Sequence, residues 1–122
     1  MIGEKPSKHV FGKSGEDIAL SYLKKKKYRI VESNFRFKRG EIDIIAYDRD
    51  TLVFIEVKTR KSTTFGFPEE AVTAQKQQQI RRIAQGFMAK QHLQEPYCRF
   101  DVISISFDEN GTYDIHHIKN AF

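Results

Sequence analysis

Four charged side chains in this sequence stand where an ordinary fold would rarely put them. Asp43 and Glu56 lie within two runs rich in Ile, Val and Phe, residues 42–47 and 52–58, separated by Asp48-Arg49-Asp50. Such runs read as strands and the polar triplet as a tight turn. With Asp48 opposite Thr51, Tyr47 faces Leu52, Ile45 faces Phe54, Asp43 faces Glu56, and Glu41 faces Lys58. Strand alternation puts these residues on one face, with Ile42, Ile44, Ala46, Val53, Ile55 and Val57 on the other. Two carboxylates directly opposite each other repel by roughly 3 kcal/mol at ~5 Å and an effective dielectric of ~20. A fold tolerates that where a cation lies between them or one carboxyl is protonated.

Lys58 sits two residues from Glu56 on the same face and offsets one of the charges that Asp43, Glu56 and Glu41 present. Oxygen ligands with no Cys or His nearby suit a hard divalent cation, Mg²⁺ or Mn²⁺. Such an ion polarises a phosphodiester and lowers the pKa of a bound water. Lys58 would then orient the attacking water or neutralise charge growing on the transition state. Glu16 adds a third carboxylate, at helical spacing from Ala19, Leu20 and Leu23 and hence on an inward stripe. Bland readings compete at each point. The strand charges can form a solvent-facing ladder with a Glu41–Lys58 ion pair, and a one-residue register shift separates Asp43 from Glu56. Glu16 can simply complement a helix dipole.

The elements that must position these groups follow from the pattern. Residues 1–12 read as a mobile arm, and residues 13–122 as one domain. Ser14 is expected as the N-cap of a helix running to about Lys26, with Asp17 in a capping-box relationship. Tyr28–Val31 reads as a short strand before the hairpin. Thr59–Phe67 reads as a polar loop. Pro68, Glu69 and Glu70 are expected to open a second helix that carries Val72, Ile80, Ile83 and Phe87 to about Gln91. Phe100–Phe107 and Tyr113–Ile118 read as strands joined through Asn110-Gly111. The order α-β-β-β-α-β-β implies an α/β domain whose mixed central sheet of about five strands is flanked by helices.

Composition narrows the class. The chain has 122 residues, 39% of them apolar, with ten Phe and five Tyr, which suits one ordered domain. No apolar run approaches the ~20 residues of a membrane span, and none behind the first lysines resembles a signal segment. One cysteine, Cys98, cannot make an internal disulfide, and it is expected to be partly buried. A soluble, cytoplasmic protein is the expectation. Residues 1–40 hold eleven Lys and Arg against four Asp and Glu, and the remainder ten against twelve. That asymmetry fits a polyanion such as nucleic acid, or simply a basic, solvated surface. Arg36, Lys38 and Arg39 precede the Asp43 strand, and Arg60 and Lys61 follow Lys58; as a group they could grip phosphates beside the carboxylates. The four histidines show no metal-ligand spacing, and Asp101 reads as a structural contact to a basic side chain. No Gly-rich phosphate loop appears, so no nucleotide cofactor is expected.

The ordered set is similar to a known group. Glu16 on a first helix, Asp43 on a strand and Glu56-Val57-Lys58 on the next resemble the PD-(D/E)xK nuclease superfamily. Gly15-Glu16-Asp17-Ile18-Ala19, Gly40-Glu41-Ile42-Asp43-Ile44-Ile45-Ala46 and Phe54-Ile55-Glu56-Val57-Lys58-Thr59-Arg60 resemble more closely the small bacterial YraN family of predicted endonucleases. Ala71-Val72, Lys76, Arg99-Phe100-Asp101-Val102 and Asn120-Ala121-Phe122 extend the likeness over about residues 10–122. The resemblance implies a restriction-endonuclease-like core and a phosphodiesterase site similar to that of archaeal Holliday-junction resolvases. It further implies that Asp43, Glu56 and the Val57 carbonyl hold a metal. Glu16 would hold a second ion or a metal-bound water, and Lys58 would be the catalytic lysine. Gln75 or Lys76 would approach from the second helix. The Pro that precedes the Asp in the superfamily's name is Ile42 here. The leading expectation is a Mg²⁺- or Mn²⁺-dependent endonuclease acting on DNA, branched or single-stranded. By analogy with resolvases it would be a homodimer. The alternatives are a non-catalytic nucleic-acid-binding module on the same fold and a basic protein that docks an acidic protein partner.

Overall fold

A computed structural model describes residues 11–64, 66–67, 72–94 and 96–122, with side chains from Gly15 onward. Among these residues the order is α1 (Phe11–Lys25), β1 (Arg29–Phe37), β2 (Gly40–Asp48), β3 (Thr51–Lys61), α2 (Ala74–Lys90), β4 (Cys98–Phe107) and β5 (Tyr113–Ile118). The five strands form one sheet in the order β1-β2-β3-β4-β5. All neighbours are antiparallel except β3 and β4, which run parallel. A parallel pair needs a crossover, and α2 supplies it.

The sheet is a two-faced surface with one helix on each side. Val53, Ile55, Ile103 and Ile105 pack with Ala19 and Leu23 of α1. Leu52, Phe54, Phe100 and Val102, the alternating set, pack with Ile80, Ile83, Ala84 and Phe87 of α2. Phe87 meets Phe35 and Phe54 edge-on, while Phe54 and Phe100 stack. Continuous apolar runs in β2–β4 are what a sheet covered on both faces requires.

The mixed five-strand sheet and the element order match the expectation, and several boundaries move. The first strand extends to Phe37 because it is an edge strand; most of it is exposed and Phe35 alone is buried, so alternation carries little signal. The first helix already runs from Phe11, so Ser14 lies inside it and does not cap it. Residues 1–10 of the expected arm lie outside the described residues. The second helix begins at Ala74, not at Pro68, because the Thr73 hydroxyl accepts the N–H of Lys76 and caps it there. Pro68, Glu69 and Glu70 lie outside the described residues, and buried Val72 precedes the helix. Cys98 is exposed at the first position of β4, where it precedes the covered part of the sheet.

Both helices close on non-glycine residues in the left-handed region. Tyr28 N–H reaches Leu23 O and Leu93 N–H reaches Met88 O, with Lys27 at φ 71° and His92 at φ 57° in between. These are Schellman-type ends, which ordinarily favour Gly. The β4–β5 connection is built on Asp108, whose carboxylate accepts the N–H groups of Asn110 and Thr112, with Gly111 at φ 82°.

Candidate functional site

The hairpin register is the one expected from the turn: Asp48 pairs with Thr51, Tyr47 with Leu52, Ala46 with Val53, Ile45 with Phe54 and Ile44 with Ile55. The ladder then stops, one pair short of Asp43 and Glu56. Beyond that point β2 stays paired with β1 down to Phe37 and Gly40, whereas β3 stays paired with β4 to Lys61 and Phe107. The sheet therefore forks between its second and third strands. Asp43 is not placed squarely opposite Glu56, as simple continuation would have it; its Oδ2 accepts the Val57 backbone N–H across the fork at 2.8 Å.

A change of face accompanies the fork. Asn34, between the pairs Ser33–Ile44 and Phe35–Ile42, has φ 54°. Phe35 and Ile42 join the α2-side cluster, whereas Ile44, two residues on along β2, packs on the α1 side. The expected apolar face containing Ile42 and Ile44 together is thus broken at Asp43.

Several elements deliver charge to the fork. Glu16 of α1 is half-buried, and its carboxylate is hydrogen-bonded by the Asn34 side chain and feels the charges of Asp43 and Glu41. Gly15 makes that approach possible, since a Cβ there would overlap the Thr59 Cγ2 methyl of β3. From β3 comes Glu56, 7% exposed, with its Oε2 3.4 Å from Lys58 Nζ and 4.0 Å from Lys76 Nζ of α2. Lys58 pairs with Glu56 and not with Glu41, whose register partner is Arg36.

Burial is the largest influence on all three carboxyls and pushes each pKa above the usual carboxylate range. For Glu56 the charge of Asp43 adds to it, against Lys76 and Lys58. For Asp43 the Val57 N–H and the two lysines oppose it, and Glu41 reinforces it. Glu16 is raised further by Asp43. Buried carboxyls that raise one another's pKa make a site that is improved by positive charge. Two carboxylates with a neighbouring backbone carbonyl form an all-oxygen donor set of the kind Mg²⁺ or Mn²⁺ accepts. Among the described residues, however, no three Asp, Glu, His or Cys side chains converge as a ready-made cage.

The remaining expected residues divide. Arg36, Lys38, Arg39 and Lys76, with Glu41 and Gln79, line one cavity of about 430 Å³ beside the fork. Gln75 and Lys76 line a smaller one with Thr73, Gln79 and Arg82. Arg60 tethers its own loop, donating to the carbonyls of Thr64 and Gly66 at 2.8 Å. Lys61 is exposed at the end of β3. Arg82 and Gln79 were not singled out by the sequence as site residues. Their signal is their i+3 and i+6 spacing from Lys76, legible only once the helix face is known.

Asp101 contacts a basic side chain as expected, and more besides. It is fully buried and accepts from Arg99 Nε at 2.9 Å and from Asn120 N–H at 3.1 Å, with His117 Nε2 2.7 Å away. Arg99 also reaches Asp48 at 3.0 Å and Tyr28 Oη at 2.8 Å, and His117 Nδ1 meets Tyr22 Oη at 3.0 Å. Burial lifts the Tyr28 hydroxyl to about 12 despite Arg99. This network ties α1 and the Asp48 turn to β4 and β5; Asp101 pairs with Ile55, level with the fork, but faces α1, on the other side of the sheet from Glu56 and α2.

A family model described as "Uncharacterised protein family UPF0102" matches residues 15–105, which span the fork, most of α1 and all of α2. Relatives are similar over almost their full length. A UPF0102 protein of Geotalea daltonii is 50% identical over 123 residues, covering 100% of this chain and 97% of its own. One of Caldicellulosiruptor saccharolyticus is 46% identical over 117 residues, covering 95% and 99%. The first-helix, second-strand and third-strand motifs that build the fork all fall inside the matched region. The chain belongs to the uncharacterised protein family UPF0102, the YraN-type group that its motifs resemble.

Proposed function

We propose that this protein is a metal-dependent endonuclease of the PD-(D/E)xK kind, hydrolysing DNA phosphodiester bonds at the sheet fork. The observation that carries this is the meeting, at one interruption of the β2–β3 ladder, of Asp43, buried Glu56, Lys58 and Lys76, with Glu16 electrostatically coupled to them. Asp43, Glu56 and the Val57 carbonyl would hold Mg²⁺ or Mn²⁺, with Glu16 assisting. When bound, that ion supplies charge stabilisation for a phosphodiester under attack. The Val57 N–H fixes the orientation of the Asp43 carboxylate. Lys58 and Lys76 neutralise Glu56 in the resting protein and are positioned to neutralise a phosphate instead. A water oxygen bonds to phosphorus, the bond to one ester oxygen breaks, and that oxygen leaves with a proton. A cytoplasmic setting suits both the substrate and an exposed, unpaired Cys98.

A non-catalytic nucleic-acid-binding module is the second reading, favoured by the lysines that already sit on Glu56 and by the absence of a three-ligand cage among the described residues. Cleavage of labelled single-stranded, duplex, flap and four-way-junction DNA in Mg²⁺, Mn²⁺ or EDTA separates them. Metal-dependent product that disappears in Lys58→Ala supports the nuclease. Salt-sensitive binding with no product under any condition supports the module.

A further inference from the structure

Adjoining cavities run from the fork along α2. The one beside Glu41 and Lys76 continues into a groove of about 670 Å³, lined by Phe37, Lys38, Arg39, Gln79, Arg82 and Gly86. Gln79, Lys38 and Arg39 border both, so the two are continuous. One wall is the β1–β2 turn and the other is one side of α2. At the far end the wall and the helix close on each other, because a Cβ on Gly86 would lie 2.8 Å from the Phe37 ring. From Lys76 to Gly86 the helix rises about 15 Å, the length of a few nucleotides of an unpaired strand. Arg36, Lys38, Arg39, Lys76 and Arg82 supply five cations over that length.

Two features point to a strand and not to a broad duplex surface. The cations face one another across a channel bounded on both sides, so both walls can contact the same backbone. Phe37, stacked on Phe35, lines the same channel and offers a ring to an unpaired base. Lys38 occupies the β1–β2 turn at φ 56°, a conformation Gly also adopts freely, so Lys38→Gly can remove the side chain without straining the turn.

We propose that this groove is the track for a single nucleic-acid strand, gripped by Lys38, Arg39 and Arg82, stacked on Phe37 and led past Lys76 to Asp43 and Glu56. The substrate class is then an unpaired strand or flap, not continuous duplex. This deepens the phosphodiesterase reading above and rests on it for where the strand ends.

The test is fluorescence anisotropy of the full chain in EDTA, where no cleavage intervenes. The probes are labelled DNA and RNA single strands of about 12 nucleotides and the matching blunt DNA duplex. The single strand should bind at least about tenfold more tightly than the duplex; either sugar supports the groove, and the tighter one identifies the preferred strand. Arg82→Ala should weaken single-strand binding about three- to tenfold and make the salt dependence shallower by about 0.7 in slope. Lys38→Gly should do the same while melting no lower than wild type, which removes misfolding as the cause. Equal or tighter duplex binding, or unchanged affinity in Arg82→Ala, overturns the proposal. Cleavage activity that survives such a result leaves the nuclease reading standing. Single-strand binding that depends on Arg82, with no cleavage in metal, removes the nuclease and keeps the groove.

Discussion

The backbone N–H of Val57 donates to Asp43 Oδ2 at 2.8 Å, in the place where the next rung of the β2–β3 ladder would be. One side chain thus satisfies a donor that the fork would otherwise leave open. The bond also ties the site's geometry to the sheet. Asp43→Asn keeps an acceptor oxygen and removes a buried charge, whereas Asp43→Ala leaves the Val57 N–H unpaired. In EDTA at neutral pH, Asn should be more stable than wild type, and Ala less stable than Asn by about 1–3 kcal/mol. Urea denaturation checks the order, and Mn²⁺ titration should show weakened binding in both variants. An Ala variant as stable as Asn would mean that the hydrogen bond carries no weight.

Glu56 and Asp43 make metal-free stability fall as pH rises. Burial, and for Glu56 also the charge of Asp43, raises both pKa values in the folded chain. Between the ordinary carboxylate range near ~4 and these raised values, the folded chain holds more protons than the unfolded one, so the slope of stability against pH is negative. Glu56→Gln should remove much of that slope and raise stability at neutral pH by on the order of 1 kcal/mol. The comparison is urea midpoints from pH 4 to 8 in EDTA; a variant with the wild-type slope would contradict it.

Asp101 behaves in the opposite sense. Burial alone would raise its pKa, but His117, Arg99 and the Asn120 N–H hold it below the usual carboxylate range. Its stabilisation is fully present above the unfolded value of ~3.9 and is lost as pH falls through the lower folded value. Asp101→Asn should cost about 3–5 kcal/mol at neutral pH, as expected when a buried pair loses one partner. It should also flatten the acid limb of the stability profile below pH 4. Nucleic-acid affinity of the folded variant should be unchanged, since the network faces α1, on the other side of the sheet from Glu56 and the basic groove along α2.

The hairpin was legible because its signal is local: two β-branched runs, a turn of fixed length and a period of two fix the register of residues 44–55. The fork was not legible, because it depends on which neighbour each strand keeps beyond Ile44 and Ile55, β1 for β2 and β4 for β3, a tertiary choice with no local signal. The carboxylates stood out as charges inside apolar runs, and that anomaly survives in the raised pKa values although the direct opposition does not. Asp101 was legible as a contact with a basic residue; its His117 partner was hidden, since β5 joins it to Asp101 only through tertiary pairing. The α2 boundary failed for a competitive reason: Pro68 and Thr73 are both good starts, and only the Lys76 N–H hydrogen bond decides between them.

The left-handed helix ends offer stabilisation away from the site. Lys27 and His92 are exposed and make no offsetting side-chain contact among the described residues, and each sits at a φ that Gly adopts freely. Lys27→Gly and His92→Gly should each stabilise by about 1 kcal/mol, nearly additively because they cap different helices. Thermal melts of the two single variants and the double variant test this, and a loss in either would show the side chain to be engaged.

Gly15 is the point at which α1 is pressed on β3, and its replacement should reach the site through Glu16. Ala improves helix propensity by about 1 kcal/mol, but its methyl would overlap Thr59 Cγ2. Overpacking costs about 1–3 kcal/mol and pushes the helix outward, so Gly15→Ala should be net destabilising or close to neutral in spite of the better propensity. Thr59→Ser removes the obstructing methyl. The double variant should therefore be more stable than the sum of the single effects predicts, by on the order of 1 kcal/mol. If Glu16 acts at the fork, Gly15→Ala should also weaken Mn²⁺ binding, and Thr59→Ser should restore it in the same double variant. Additive stabilities with unchanged Mn²⁺ affinity would place Glu16 outside the site and leave the helix dipole as its role.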